Sequence, residues 1–364
     1  MRHGVLVGCA AAALAALMAL PACAEHDLSL KDFPRQPGET TDEPRIRRAV
    51  ACAQTGEIVY FPRGLYRIGS QLTVTNAVSL ELHPAARLQA VAPMDFVLRY
   101  DAEPPCGNLK GRIFNYFVRG GEIDGNGLAG CFNVNSSWHF NVSDMTMRNA
   151  KTVGFQIGRP DDRRGGGINA RNLFLFCDKA GMQGNVGVWC FGGDMTITDV
   201  CVIDHTVGVR DSKCGNRWTR IHVWGGLVRD PVTKKAVMLE NSVGFDLDGT
   251  GDALLDNCYA DTALVGFRVN GAGTRLHKCT YLNNPVFKLD HVAAVEHLSG
   301  SLRVDGFMYA PACSNAVPYR RLGKAERWMV HWTNDQIDWG NPQYGCDELN
   351  AVLREQAARA PTKP

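Results

Sequence analysis

The sequence predicts an all-β chain wound into a parallel β-helix of single strands, and three observations predict it. A short signature recurs in which a small residue is followed by an apolar, a polar and an apolar one: Gly154-Phe155-Gln156-Ile157, Gly187-Val188-Trp189-Cys190, Gly244-Phe245-Asp246-Leu247 and Gly266-Phe267-Arg268-Val269. Weaker copies stand at Cys131-Phe132-Asn133-Val134, Gly208-Val209-Arg210-Asp211 and Val286-Phe287-Lys288-Leu289. Where no insertion intervenes, successive copies lie 20 to 23 residues apart, the period of a stacked coil whose turns bury their apolar faces against their neighbours. Gly supplies 38 of the 364 residues, which suits a chain that turns every few residues.

The first segment stands outside that pattern. Arg2 and His3 precede an apolar run from Val5 to Leu20, and Ala22-Cys23-Ala24 offers small residues at the cleavage positions. This is the layout of a secretory signal peptide over residues 1–24, so the expected location is secreted or periplasmic. Acylation of Cys23 is the weaker reading, because Pro21 sits poorly in a lipoprotein cleavage motif. No later run is long and apolar enough to span a bilayer. The net charge of +2 singles out neither nucleic acid nor an anionic membrane as a partner. Of the 13 Cys, Cys9 and Cys23 fall in the leader, and an odd number remains, so at least one is unpaired or pairs outside the chain. No Cys and His spacing suits zinc, and no metal site is expected. Cys201, Cys258 and Cys279 fit as small apolar fillers of the coils, and a Cys313–Cys346 disulfide is permitted by the compartment.

Residues 42–74 read as a cap and a first coil. Asp42, Glu43 and Pro44 open a helix that continues through Ile46, Ala49, Val50 and Ala53 at helical spacing. An amphipathic helix placed there plugs the apolar end that a solenoid otherwise exposes. After it come Gly56-Glu57-Ile58-Val59-Tyr60-Phe61-Pro62-Arg63-Gly64, then Tyr66-Arg67-Ile68 and the strand Leu72-Thr73-Val74. Helix, string and strand together resemble the N-terminal cap and first coil of the pectate-lyase-like superfamily, which includes relatives of polygalacturonases, rhamnogalacturonases and phage tailspike depolymerases. The resemblance is close over these first coils and extends further only through the repeat. It implies a right-handed parallel β-helix acting on a polysaccharide, with no required cofactor, calcium as an option for a lyase, and a homotrimer as an option of assembly. Ile123-Asp124-Gly125-Asn126-Gly127 resembles a structural turn of the polygalacturonase branch. That branch's Gly-His-Gly and Arg-Ile-Lys strings are missing, so its catalytic residues do not carry over.

From Ala77 to Leu302, short apolar strands alternate with Gly, Asn and Asp turns. Segments beginning at His139, Asp194 and Asp252 align, each with a first strand, a turn at Asn149, Asp204 or Asp261, and the signature strand. Insertions follow Gly158 and run from Gly225 to Ser242; they are expected to project from one side and wall a cleft. The repeat fades late in the chain. The β-helix domain is therefore expected over 25–316, and residues 317–364, with a helix near Asp347 to Ala358, as a C-terminal cap.

Alternation along the signature strand places chemistry. Phe155/Ile157, Phe245/Leu247, Phe267/Val269 and Phe287/Leu289 point inward, each buried Phe contributing ~1.5 to 3 kcal/mol before entropy. The residues between them point outward and form a row of Asn133, Gln156, Trp189, Arg210, Asp246, Arg268 and Lys288, with Ser212, Asp248 and Asn270 one step on. This row is the candidate sugar groove. Asp246 and Asp248 share one face with Cα atoms ~6.5 to 7 Å apart, and paired carboxylates flanking a glycosidic bond are what hydrolysis needs. Trp189, Arg210, Arg268 and Lys288 are the expected substrate contacts. In Ile221-His222-Val223-Trp224, His222 is a candidate proton shuttle and Trp224 a stacking platform. The plain alternatives are a surface ladder that only balances charge, core roles for His222 and Trp224, and a solvated loop for Asp161 and Asp162. Three functions stay open: hydrolysis of an acidic or pectin-like glycan, which is favoured; β-elimination on uronates, using Arg268, Lys288 or His222; and glycan binding without cleavage. Fold alone does not choose among them.

Overall fold

The computed structural model describes residues 28–102, 116–135, 140–161, 166–178, 184–213, 215–225, 227–229, 236–239, 241–249, 251–283, 292–310, 316–324, 330–333 and 347–359. The leader, Asp162, Lys288, Cys313 and Cys346 lie outside the described residues.

The N-terminal helix spans Glu43–Cys52, with Pro44 in the first turn, where its missing N–H costs nothing. It buries Ile46, Ala49 and Val50. The wholly buried Asp42 pins it by accepting from Arg35 Nε at 2.9 Å and from the Arg67 backbone N–H at 2.7 Å.

Each coil contributes one strand to a parallel ten-stranded sheet whose order follows the chain, from Leu72–Val74 through Val153–Ile157 and Val207–Asp211 to Ala293–Ser299 and Val317–Arg321. The other strands of the coils form an 18-stranded sheet, in which Phe140–Arg148, Asn169–Phe176, Thr196–Ile203 and Arg217–Trp224 pair in parallel. The expected all-β parallel helix is the observed architecture. In the larger sheet Asp144, Asn172, Asp199, Arg220, Asn257 and Lys278 have positive φ, a conformation that Asn and Asp tolerate best and that bends the strands at one point per coil. Two neighbours in this series are tied through their side chains, Arg220 donating to Asp199 at 2.6 and 2.7 Å.

The small residue of the signature has a steric cause. A Cβ at Gly154 would stand 2.7 Å from Leu175 Cδ2, at Gly187 2.3 Å from Val202 Cγ1, and at Gly208 2.2 Å from Val223 Cγ1. The two sheets meet there with no room for a side chain. Behind the glycines the Phe residues stack as expected: Phe132 on Phe155 with centroids 5.5 Å apart, and Phe245 on Phe267 at 4.8 Å.

Four expectations change. Val317–Arg321 pairs with Ala293–Ser299, and Val330–Thr333 with Leu302–Asp305, so the coil runs beyond residue 316. Its last signature-like strand, Val317-Pro318-Tyr319-Arg320-Arg321, has no leading Gly, although Tyr319 fills the inward slot at 1% exposure. The helix Asp347–Arg359, burying Leu349 and Val352, then follows as the cap. The insertions leave opposite edges of the ten-stranded sheet. One follows Val153–Ile157, and the other, holding the antiparallel hairpin of Leu227–Arg229 and Ala236–Met238, precedes Val243–Leu247. They flank the sheet instead of sharing a side. Cys258 and Cys279 fill the interior as expected, whereas Cys201 lies on the outer face, paired in register with Phe174 and His222. Lastly, the strand after Val265–Asn270 is Ala293–Ser299, so Val295 and His297 take the inward places expected for Phe287 and Leu289.

Candidate functional site

Strand register links Thr73, Arg99, Asn133, Gln156, Trp189, Arg210, Asp246, Arg268, Glu296 and Arg320 into one row, one residue per coil. At ~4.8 Å per coil the row extends ~43 Å. Six of its members, Asn133 to Arg268, are those read from the sequence. After Arg268 the row passes to Glu296; Lys288 lies outside the described residues. Arg99, Glu296 and Arg320 escaped the sequence reading because their strands depart from the signature, with Val97 and Pro318 in the small-residue place and His297 in the second apolar place; the signal they do carry is the alternation in Leu98-Arg99-Tyr100, Val295-Glu296-His297 and Tyr319-Arg320-Arg321.

The charged half of the row is cross-braced. Arg210 Nε donates to Asp246 at 2.9 Å, Arg268 Nε to Glu296 at 3.1 Å, and an Arg320 terminal nitrogen to Glu296 at 3.0 Å. Toward the other end, Arg99 Nε donates to Asn133 at 3.2 Å. Asp246 and Glu296 are each only 6% exposed, while the Arg210 and Arg268 side chains keep 28% and 30%. The carboxylates therefore lie beneath the guanidiniums. Arg99, Arg210 and Arg268 all bond to the next coil through Nε, and their terminal NH2 groups have no hydrogen-bond partner among the described residues. Such a fork is shaped for a carboxylate or sulfate.

Trp189 is a support and not an open platform. Arg210 sits over its ring at 5.0 Å, Phe191 packs on it at 4.6 Å, and its Nε1 donates to Ser212 at 3.2 Å. A small apolar cluster of Phe96, Val153, Val186, Val207, Val243 and Val265 packs against it. Asp248 is exposed just past its strand and accepts from Asn270 Nδ2 at 2.8 Å, and Asn270 in turn accepts from Ser299 at 2.7 Å. The two expected catalytic carboxylates thus differ: Asp246 is covered by Arg210, and Asp248 meets solvent. Beside Arg99, Gln156 and Trp189 opens a cleft of ≈ 580 Å³ whose wall includes Met94, Phe96 and Lys151.

His222 and Trp224 belong to the 18-stranded sheet, so the fold does not bring them to the row. His222 stacks on Tyr259 with centroids 4.6 Å apart. Its Nε2 is covered, has no hydrogen-bond partner among the described residues and lies 4.0 Å from Asp261. Burial lowers its pKa, favouring the neutral ring. Trp224 is 40% exposed, in register with Ile203 and Asp261. Asp211, at the inward end of the signature, is 1% exposed and accepts from Trp218 Nε1 and Asn216 Nδ2, both at 2.8 Å. Burial pushes its pKa up to about 6. Asp161 is exposed in a turn. Among the described residues no group of three or more His, Cys, Asp or Glu is placed to hold a metal.

No protein-family model matches the sequence, and no curated protein matches it. Among solved structures the chain is similar to ORF18 of Geobacillus virus E2, at 16% identity and TM-score 0.61, over 93% of this chain and 66% of that one. It is also similar to a tailspike protein mutant of E. coli bacteriophage HK620 in complex with a pentasaccharide, at 10% identity and TM-score 0.61, over 85% and 63%. A third likeness is to endo-xylogalacturonan hydrolase from Aspergillus tubingensis, at 13% identity and TM-score 0.54, over 84% and 98%. At these identities the likeness is one of fold, the right-handed parallel β-helix. The chain spans about two thirds of the length of the viral and phage chains.

Proposed function

We propose that the protein is an exported enzyme that holds an acidic polysaccharide along the outward row of the ten-stranded sheet and cleaves it by hydrolysis. The observation that carries this reading is the pair of forks on Arg210 and Arg268, each anchored through Nε, with terminal NH2 groups that have no hydrogen-bond partner among the described residues. Fixed in that way, a guanidinium loses little freedom when it takes a ring carboxylate in two parallel bonds. Similarity to a tailspike that binds a pentasaccharide and to a xylogalacturonan hydrolase supports a glycan as the ligand class. As the C1–O bond breaks, Asp248, open to solvent, gives its proton to the leaving oxygen and takes one back from the water that bonds to C1; Asp246, two residues away and held by Arg210, faces the positive charge that develops on the sugar.

The test has two readouts on polygalacturonate and on acidic exopolysaccharides. New reducing ends without growing ultraviolet absorbance support hydrolysis. An unsaturated product replaces hydrolysis with β-elimination. Asp246→Asn and Asp248→Asn are each expected to slow release of reducing ends on the order of a hundredfold or more while the polymer is still bound. If both variants keep full activity, the assignment of this pair is wrong. Binding without cleavage is the second reading, favoured by the burial of Asp246 beneath Arg210. Retention in an affinity gel with no product of either kind would establish it.

A further inference from the structure

The cleft at the Arg99 end of the row has a composition unlike the row itself. Half-buried Met94 and Leu128 line it together with Phe96 and Val153, and its cations are Arg99 and the exposed Lys151. Arg99 is fixed by its Nε bond to Asn133 at 3.2 Å and by the Phe96 ring 5.9 Å away, with its terminal NH2 groups unpartnered among the described residues. A volume of ≈ 580 Å³ lies within the range of a small-molecule site, roughly 300 to 1,000 Å³.

The ligand groups this lining accepts are restricted. An unsubstituted sugar would press hydroxyls against Met94 and Leu128, taking them from water without giving them partners. An acetyl ester would match the apolar lining and leave both cations without a counter-charge. A uronate brings its charge directly on the ring, among those same hydroxyls. A carboxylate on a short apolar arm meets both demands: its methyl or methylene lies on Met94 and Leu128, and its oxygens reach the Arg99 fork and Lys151.

We infer that this cleft is a subsite for a sugar bearing a ketal- or ether-linked carboxyalkyl substituent, which would make the preferred substrate a substituted exopolysaccharide and not a plain polyuronate. The inference rests on the reading that the row binds an acidic glycan, since Gln156 and Trp189 belong to both row and cleft. Asp95, exposed on the rim, turns away ligands whose charge lies outside the reach of the two cations.

Affinity electrophoresis of the whole protein tests it with three gels: one with an exopolysaccharide carrying pyruvate ketals, one with the same polymer after mild-acid removal of the ketals, and one with polygalacturonate. The wild type is expected to bind the ketal form about tenfold more tightly than the stripped form, the effect of one charge-assisted contact. Lys151→Glu, at an exposed position, is expected to shrink that difference to within about twofold. Arg268→Ala should weaken binding to all three polymers alike. Equal binding of the ketal and stripped forms, with polygalacturonate still retained in an Arg268-dependent way, overturns the subsite and leaves the row intact. A preference that survives Lys151→Glu also overturns it. Retention on none of the gels removes both readings.

Discussion

Two ladders of Arg and carboxylate run along this solenoid, one on each sheet, and they close differently. On the 18-stranded sheet Arg87, Glu122, Arg148 and Asp178 form a chain in which Arg87 donates a terminal nitrogen to Glu122 at 3.3 Å and holds its Nε beside the same carboxylate in an ion pair at 2.8 Å. Arg148 donates one terminal nitrogen to Asp178 at 2.7 Å and faces Glu122 through the other in an ion pair at 3.6 Å. On the ten-stranded sheet Arg210 and Arg268 reach their carboxylates through Nε alone. In the first ladder the guanidiniums turn terminal nitrogens onto carboxylates, so it balances charge and contributes modestly to stability. The second presents donors that nothing in the described structure uses. A row of charges therefore becomes a candidate site through which nitrogens are engaged, not through how many charges it holds.

The sharpest way to break this comparison is to delete the forks. Arg210→Ala combined with Arg268→Ala is expected to weaken acidic-glycan binding at least about a hundredfold, from two charge-assisted contacts of ~1.5 to 3 kcal/mol each. Arg87→Ala with Arg148→Ala should stay within about twofold in the same gel. Equal losses from the two double variants would erase the distinction.

A next effect concerns the interior that both ladders enclose. Asp211 has its pKa raised by burial to about 6, above an unfolded value of ~3.9. The folded state binds that proton more tightly, so this stabilisation is fully present below the unfolded value and is lost as pH rises through about 6. Urea unfolding should therefore show stability falling by up to about 3 kcal/mol between pH 4 and 7 from this group, and Asp211→Asn should flatten that segment of the profile. An unchanged slope in the variant would assign the dependence to other groups. Smaller again is Gly208→Ala, whose new methyl would meet Val223 Cγ1 at 2.2 Å. A loss of about 1 to 3 kcal/mol is expected from overpacking, read as a shift of the urea midpoint at constant m-value. The smallest effect is reserved for Trp224→Ala on the opposite face, which should leave glycan affinity within about twofold. A large loss there would move the site to the 18-stranded sheet.

The sequence carried the fold well because its signature has a steric origin. Gly154, Gly187 and Gly208 sit where the sheets touch, so nothing larger is tolerated and the spacing shows through the rest of the chain. The row was legible for the same reason, wherever a small residue, Gly or the Cys131 before Asn133, marked the strand. It was lost at Glu296, where Ala293–Ser299 starts without Gly and carries His297 inward, bonded to Tyr319 Oη at 3.1 Å and to the Gly300 carbonyl at 2.8 Å. Val286-Phe287-Lys288-Leu289, which lies outside the described residues, matches the signature in sequence more closely than Val295-Glu296-His297 does. The engagement of each Arg was not legible at all, because Nε and terminal bonding depend on rotamers set by the neighbouring coil. Nor was the separation of His222 from Asp246, since both lie on outward positions of alternating strands and only the pairing assigns them to different sheets.

The alternation of Arg and carboxylate along the ten-stranded sheet also sets a rhythm. Arg210, Arg268 and Arg320 fall on alternate coils, so their guanidiniums recur about every 9.6 Å, twice the strand spacing. The protein is in that respect a vernier. On the proposed reading, a polymer whose charges keep the same beat would be held at several marks together, each further mark multiplying the hold through effective concentration. A polymer with another beat drifts out of phase after one mark, however many charges it bears.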